Sequence, residues 1–448
     1  MHSRLPASSP ISRVVRGSFA AFIIYGAGIG LTYCSQLVIA RFVGVDAYGL
    51  YAYVFAWMTV LAYFSALGFD VALLRFLPAY EAEYKWSLFR GVIQYAERRA
   101  AIAGVSCILV GLCIVMYRGL SPQLRNTFLI GLMLVPVWAV LWIRCSVLRA
   151  FGGVVSAIAP DRVVRDGLLV GLVAFASLGL GWSLDATMAI TATLVSSAIA
   201  LCFASFAVHR LHPTAIDNIL PAYDAPAWRR AAIPLVIIGA AESLMNRTGV
   251  IILGWIGDTK AAGIYSLTFN IAFVVALPRM AINTLFAPTV SSLFSCKDQL
   301  LLRALITSAA SWTLAGSACI TLMLFILAEP FLAWFGPGYE AGVPALRILL
   351  VGQVIVAGAG SQLFLMTMTG YERGAATLLV LSAVLNTAVS AALVGPFGLT
   401  GAATASAATL IIWNLAMAFF LWRHLSLLPG VLASYPTCRV ASAAGLPS

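Results

Sequence analysis

The chain reads as an all-α polytopic membrane protein, and three observations predict it. Of 448 residues 62% are hydrophobic and only 10% charged, too apolar for a soluble domain that must cover itself with polar groups. Apolar stretches of about 20 residues, the length that crosses about 30 Å of hydrocarbon, recur from end to end. The chain also repeats its own landmarks at a spacing close to half its length.

The expected spans lie at residues 19–40, 47–68, 100–119, 126–148, 164–183, 186–208, 232–256, 262–286, 304–328, 345–370, 374–396 and 399–421, twelve in all. The first follows a basic start, MHSRLPASSPISRVVR. Its apolar run continues for about 22 residues without a small-x-small cleavage site, which predicts a retained helix rather than a removed leader. Tyr33 before Cys34 is too bulky for a lipoprotein cleavage site. Beyond residue 425, Pro429, Gly430, Pro436 and Arg439 break the apolar pattern, so no further span is expected.

The net charge of +11 takes its meaning from where the 27 basic residues sit. With the N-terminus inside, the expected external segments hold only Arg41, Arg118, Arg125, Lys260 and Arg347, and Arg247 falls within a span. The others lie on the cytoplasmic side, which predicts that both termini are inside. Arg98-Arg99, Arg162/Arg165 and Arg229-Arg230 are expected to face anionic headgroups, and no nucleic-acid partner is implied. The eight cysteines are scattered without a C-x-x-C pair, and His209-x-x-His212 has no third ligand nearby. Neither a disulfide framework nor a metal centre is expected.

The internal repeat organises the chain. Gly44-VDAY-Gly49-Leu-Tyr51 follows the first span, and Gly257-DTKAA-Gly263-Ile-Tyr265 follows the seventh, an offset of 213 to 214 positions. His209-Arg210-Leu211 and Arg423-His424-Leu425 end the sixth and twelfth spans at the same offset. Six spans per half give both halves the same orientation, hence a parallel repeat about a pseudo-twofold axis along the membrane normal. The expected division is a cytoplasmic segment 1–18, an N-lobe 19–208, a cytoplasmic linker 209–231, a C-lobe 232–422 and a cytoplasmic tail 423–448. The loop 69–99 carries five basic residues and is expected to hold an amphipathic helix on the membrane surface. Gly44, Gly49 and Gly398 are read as turn residues, the small residues 401–408 as a close helix contact, and Pro136, Pro234, Pro278 and Pro344 as local helix looseners.

The segment ARFVGVDAYGLYAYVFAWMTVLAYFSALGFDVALLRFLPAY (40–80) resembles the N-terminal signature of polysaccharide biosynthesis flippases. The likeness lies in its Gly-x-x-x-x-Gly-x-Tyr turn, Leu67-Gly68 and Arg75. TGYERGAATLLVLSAVLNTAVSAALVGPFGLTGAATASAATLIIWNLA (369–416), with Asn386 and Asn414, is similar to the last two helices of the same family. These flippases belong to the superfamily that also holds multidrug/toxin extruders and lipid II flippases, so the resemblance implies a MATE-like exporter fold. It further implies transport of undecaprenyl-diphosphate-linked oligosaccharide across the bilayer for polysaccharide assembly, alongside other membrane proteins of that pathway.

The charges inside the spans suggest how. A charged side chain at a helix centre costs about 2.5–3.5 kcal/mol on insertion scales and normally faces a cavity or a partner. Glu242 and Arg247 lie five positions apart, about 140° around a helix, so they do not form an ideal pair with each other. The equivalent positions of the first span, near Gly28 and Tyr33, are uncharged. Arg144 and Arg149 at the inner mouth, Arg247 within and Arg41 at the outer mouth are the candidate cationic track for a diphosphate, whose oxygens a guanidinium fork matches. Lobe-stabilising pairing and headgroup contact are the plain alternatives. Glu242 is the candidate for coupling to a proton or sodium ion, and no other cofactor is expected. The chain is read as a transporter rather than an enzyme. A drug/cation antiporter of the same fold is the nearest rival; a membrane polymerase or acyltransferase would call for clustered catalytic groups or a large external loop.

Overall fold

The computed structural model of the protein describes residues 27–28, 30–211, 219–283, 286, 290, 299–425 and 430. Every regular element among them is helical. In chain order these are α1 (30–43), α2 (Val45–Ala66), α3 (Phe69–Ala82), α4 (Trp86–Tyr117), α5 (Pro122–Leu132), α6 (Leu134–Ile158), α7 (Arg165–Ala174) and α8 (Ala186–Leu211). The second half holds α9 (Ala225–Trp255), α10 (Thr259–Phe273), α11 (277–283), α12 (Gln299–Ile326), α13 (Ala328–Ala333), α14 (Val343–Ala359), α15 (Gln362–Met368) and α16 (Glu372–Leu425). Among the described residues nine helical segments are long and apolar enough to cross a membrane. The expected cytoplasmic segment 1–18, residues 19–26 and 29 of the first expected span, residues 212–218 of the linker and most of the tail lie outside the described residues.

Two hairpins are hidden by an unbroken helical pattern. Gly398 has φ 52° and ψ −126°, a conformation open to glycine, and α16 breaks there. Beyond the break Gly401 sits against the carbonyl of Leu393, so the two arms run back along each other. Between α6 and α7 the chain also doubles back: the Arg165 guanidinium lies 6.0 Å from the centroid of the Trp138 ring, although an uninterrupted helix would hold the two residues about 40 Å apart. The fifth expected span is therefore α7 flanked by π-helical turns, Ala159–Val164 and Phe175–Gly179, and it is not one of the nine.

The repeat is visible in the packing. Gly44 and Gly257 both take positive φ, 82° and 94°, and open α2 and the α9–α10 turn. Tyr51 and Tyr265 each hydrogen-bond a hydroxyl of a later helix, Thr193 at 3.3 Å and Ser406 at 2.7 Å. Gly49 and Gly263, which the repeat equates, touch each other: a Cβ on Gly263 would lie 2.6 Å from the Gly49 Cα. Gly49 is thus a helix-crossing residue inside α2 rather than a turn. The pseudo-twofold axis runs close to this crossing of α2 and α10, since two equivalent residues can meet only near the axis that relates them.

Several expectations change. The segment 69–99 is not a surface loop: α3 buries Phe69, Ala72, Leu73 and Leu77 against α4 and α6, and α4 is already helical from Trp86. The described end of the linker lies on the first half, where Ala222 N donates to Ser87 O at 3.0 Å and Arg90 Nη1 to Ile219 O at 2.9 Å. Trp228, fully buried at the base of α9, donates to the Tyr80 hydroxyl at 2.9 Å. Pro344 occupies the first turn of α14 and Pro136 the first turn of α6, where no intrahelical N–H bond is lost. Pro234 alone of the four stands deep inside a long helix, while Pro278 follows the 3-10 turn Val274–Ala276.

Candidate functional site

The charged residues of α9 meet the first half of the molecule across α2. Gly239 approaches Tyr63 so closely that a Cβ would lie 3.3 Å from the ring. Glu242 stands one turn further along the same face and is exposed. It shares electrostatic reach of Tyr63 with Asp70, Asp161 and Arg162 of the first half. Arg247 places its guanidinium 5.4 Å from the centroid of Phe55 and lies within electrostatic reach of Tyr33, Tyr48, Tyr51 and Tyr63. Tyr33 in turn stacks on Phe273 of α10 at 5.0 Å.

Arg247 therefore lies over the face of Phe55 of α2, which attracts a cation without neutralising it, with tyrosines of α1 and α2 nearby. Among the described residues neither Arg247 nor Glu242 has a salt-bridge partner. The repeat explains part of this: Tyr33 stands where the second half has Arg247, and the two neighbour each other across the axis.

The first half contributes a charge cluster that runs against expectation. Arg165 is 9% exposed and does not face headgroups. Its Nη1 lies 2.6 Å from Asp161 Oδ1 and its Nε 2.8 Å from Asp166 Oδ1. Thr32 of α1 donates to Asp166 Oδ2 at 2.5 Å and accepts from Arg162 Nη1 at 3.1 Å. Arg162 also lies 3.3 Å from Asp161 and keeps its side chain 41% exposed, within electrostatic reach of Tyr33 together with Arg247. Two arginines from opposite halves thus converge on one tyrosine. The sequence reading missed this cluster, and the four-residue spacing of Asp161 and Arg165 is the signal that could have found it.

The other candidates are dispersed. Arg144 spans from α6 to α4, its Nε 2.8 Å from Glu97 Oε1 and its Nη2 donating to Oε2 at 3.0 Å. Glu97 occupies the fork that a diphosphate would need, so Arg144 ties two helices of one half together. Arg149, one turn on, is exposed. Arg41 is exposed at the far end of α1, 5.6 Å from the Trp334 ring. Arg279 lies on α11, partly buried and without a salt-bridge partner among the described residues. A groove of about 350 Å³ between α14–α15 and the last arm of α16 is lined by Ile355, Gln362, Asn414 and Phe419 and includes none of these cations.

Residues 14–158 match the family described as polysaccharide biosynthesis protein, and no curated protein sequence matches the chain significantly. Among solved structures, a multidrug resistance MATE family transporter of the MOP superfamily in its inward-facing conformation superposes with TM-score 0.74 at 14% identity, covering 88% of this chain and 93% of its own. The outward-facing conformation of such a transporter gives 0.65 at 16%, covering 92% and 95%. The lipid II flippase MurJ, inward closed, gives 0.69 at 15%, covering 90% and 87%. The resemblance read from the sequence stands: over its N-terminal third the chain matches the polysaccharide biosynthesis protein family, and as a whole it has the fold of the MOP-superfamily transporters.

Proposed function

We propose that this protein is a flippase that carries an undecaprenyl-diphosphate-linked oligosaccharide repeat unit from the inner to the outer leaflet of the bacterial cytoplasmic membrane. The observation that carries the reading is Arg247, an arginine inside a span that lies over the Phe55 ring of the opposite half and has no salt-bridge partner among the described residues. An unpaired guanidinium of this kind suits a diphosphate, since its planar fork meets two phosphate oxygens at once. A sugar-diphosphate head would lose its water in hydrocarbon without compensation. A polar path between the two halves replaces that water while the lipid tail stays in the bilayer.

The positive-inside bias supports an orientation with the α1–α2 and α9–α10 turns outside. Exposed Glu242, on the same stretch of α9, is the group on which proton or sodium coupling would act. A cation antiporter would use that carboxylate as its substrate site and leave Arg247 without a role.

The test is the leaflet distribution of the lipid-linked oligosaccharide in a deletion strain, with and without a plasmid copy. Accumulation on the cytoplasmic side, relieved by the plasmid, supports the flippase. Normal distribution combined with altered drug susceptibility supports the antiporter, and accumulation on the outer side points to a later enzymatic step.

A further inference from the structure

We infer that the outer end of the molecule is held shut by two arginine–tryptophan clasps, Arg41 on Trp334 and Arg118 on Trp255, each reaching from the first half to the second. Arg118 caps the end of α4, and its guanidinium carbon lies 3.6 Å from the centroid of Trp255, the last residue of α9. Arg41, near the end of α1, stands 5.6 Å from the ring of Trp334, which follows α13. Both tryptophans are more than half exposed, so these rings are not core residues that happen to meet an arginine.

Other contacts close the same end. The buried Tyr339 hydroxyl donates to the Ala40 carbonyl at 3.0 Å. Lys260 Nζ lies 3.5 Å from Asp46 Oδ1, and a Cβ on Gly338 would lie 3.3 Å from Val45 Cγ1. The Gly49–Gly263 crossing sits beneath them.

The chemistry suits a gate. A guanidinium stacked on an exposed indole is held weakly, and both faces are rehydrated when they part, so the contact resists opening without preventing it. A buried ion pair would leave two desolvated charges and open far less readily. Arg41 accordingly acts here on Trp334, not on a substrate at the outer mouth. The inference rests on the orientation and the two-sided opening proposed above, but its test needs no substrate.

In a cysteine-free background, Asn246→Cys places one thiol on the exposed face of α9, one turn beyond Glu242. Intact cells are treated with a membrane-impermeant maleimide. Replacing both clasp residues, R41Q/R118Q, is expected to raise labelling roughly ten-fold, the effect of losing two such contacts. If that variant fails to reach the membrane, W334L/W255L removes the same contacts from the other side. V45C/G338C is expected to form a disulfide under mild oxidation and to cancel the rise until reductant is added. Unchanged labelling in both clasp variants, or no disulfide between positions 45 and 338, would overturn the proposal. Because labelling and cross-linking are read without transport, failure here is distinguishable from failure of the flippase reading.

Discussion

At the scale of single residues, the arginines divide by what surrounds each guanidinium. Arg144 meets a carboxylate at 2.8 Å, Arg165 meets two, and Arg247 meets the aromatic face of Phe55. Only the last keeps its charge available. Arg247→Gln is expected to lower flipping at least about ten-fold with normal membrane levels, the loss of one charge-assisted contact to phosphate. Arg247→Lys should recover only part of it, because an ammonium cannot fork across two oxygens. Transport assayed at matched protein levels decides this, and full activity of Arg247→Gln would remove Arg247 from the mechanism. Arg165→Met acts differently. It strands Asp161 and Asp166 without their cation, and breaking a buried pair costs about 3–5 kcal/mol. The expected result is a clear fall in thermal stability in detergent, not a stable protein with a selective transport defect.

Between helices, small residues set how near two backbones can come. Gly49 and Gly263 let α2 and α10 cross with a backbone contact, and in lipid such packing replaces the hydrophobic drive that water would supply. Gly263→Leu is expected to prevent the crossing and abolish accumulation of folded protein, whereas Gly395→Leu, where a Cβ meets nothing within 4 Å, should be tolerated. Size-exclusion profiles of the two variants make the comparison. Trp228 anchors the base of α9 to the first half through Tyr80. Trp228→Ala should cost about 3–5 kcal/mol, as for other large buried aromatics, visible in the melting temperature. Upper residues of the same helix pack on α16, as where Asn386 Nδ2 donates to the Met245 carbonyl at 3.1 Å. One helix thus contacts both halves, with Pro234 in its lower third.

For the molecule as a whole, the prediction concerns the membrane potential. Carrying a diphosphate outward moves negative charge away from an inside-negative compartment, a gain of about 2.3 kcal/mol per charge per 100 mV. In proteoliposomes with an imposed potassium diffusion potential, inside-negative polarity is expected to accelerate outward movement of a lipid-linked diphosphate. Indifference to the sign of the potential would show that charge is compensated during transport, and Glu242→Gln would then reveal whether a coupled cation does so.

Much of this was legible in the sequence because a bilayer imposes length and apolarity on each span, and because a duplicated chain repeats its turns. The helical class, the Gly44/Gly257 and Tyr51/Tyr265 equivalences and the unusual Arg247 all follow from local pattern. Hydropathy could not reveal what depends on partners far apart in the chain: Glu97 lies 47 positions from the Arg144 it occupies, and Thr32 lies 134 from Asp166. Nor could it show that 69–99 is helical and partly buried, since basic residues snorkel from a packed helix as readily as they decorate a loop. The sequence by itself determined the membrane class, the repeat and which residues carry charge at membrane depth. Only the tertiary structure decided which of those charges are neutralised, which face the opposite half and which close the outer end, because pairing depends on where the helices bring side chains together and not on their order along the chain.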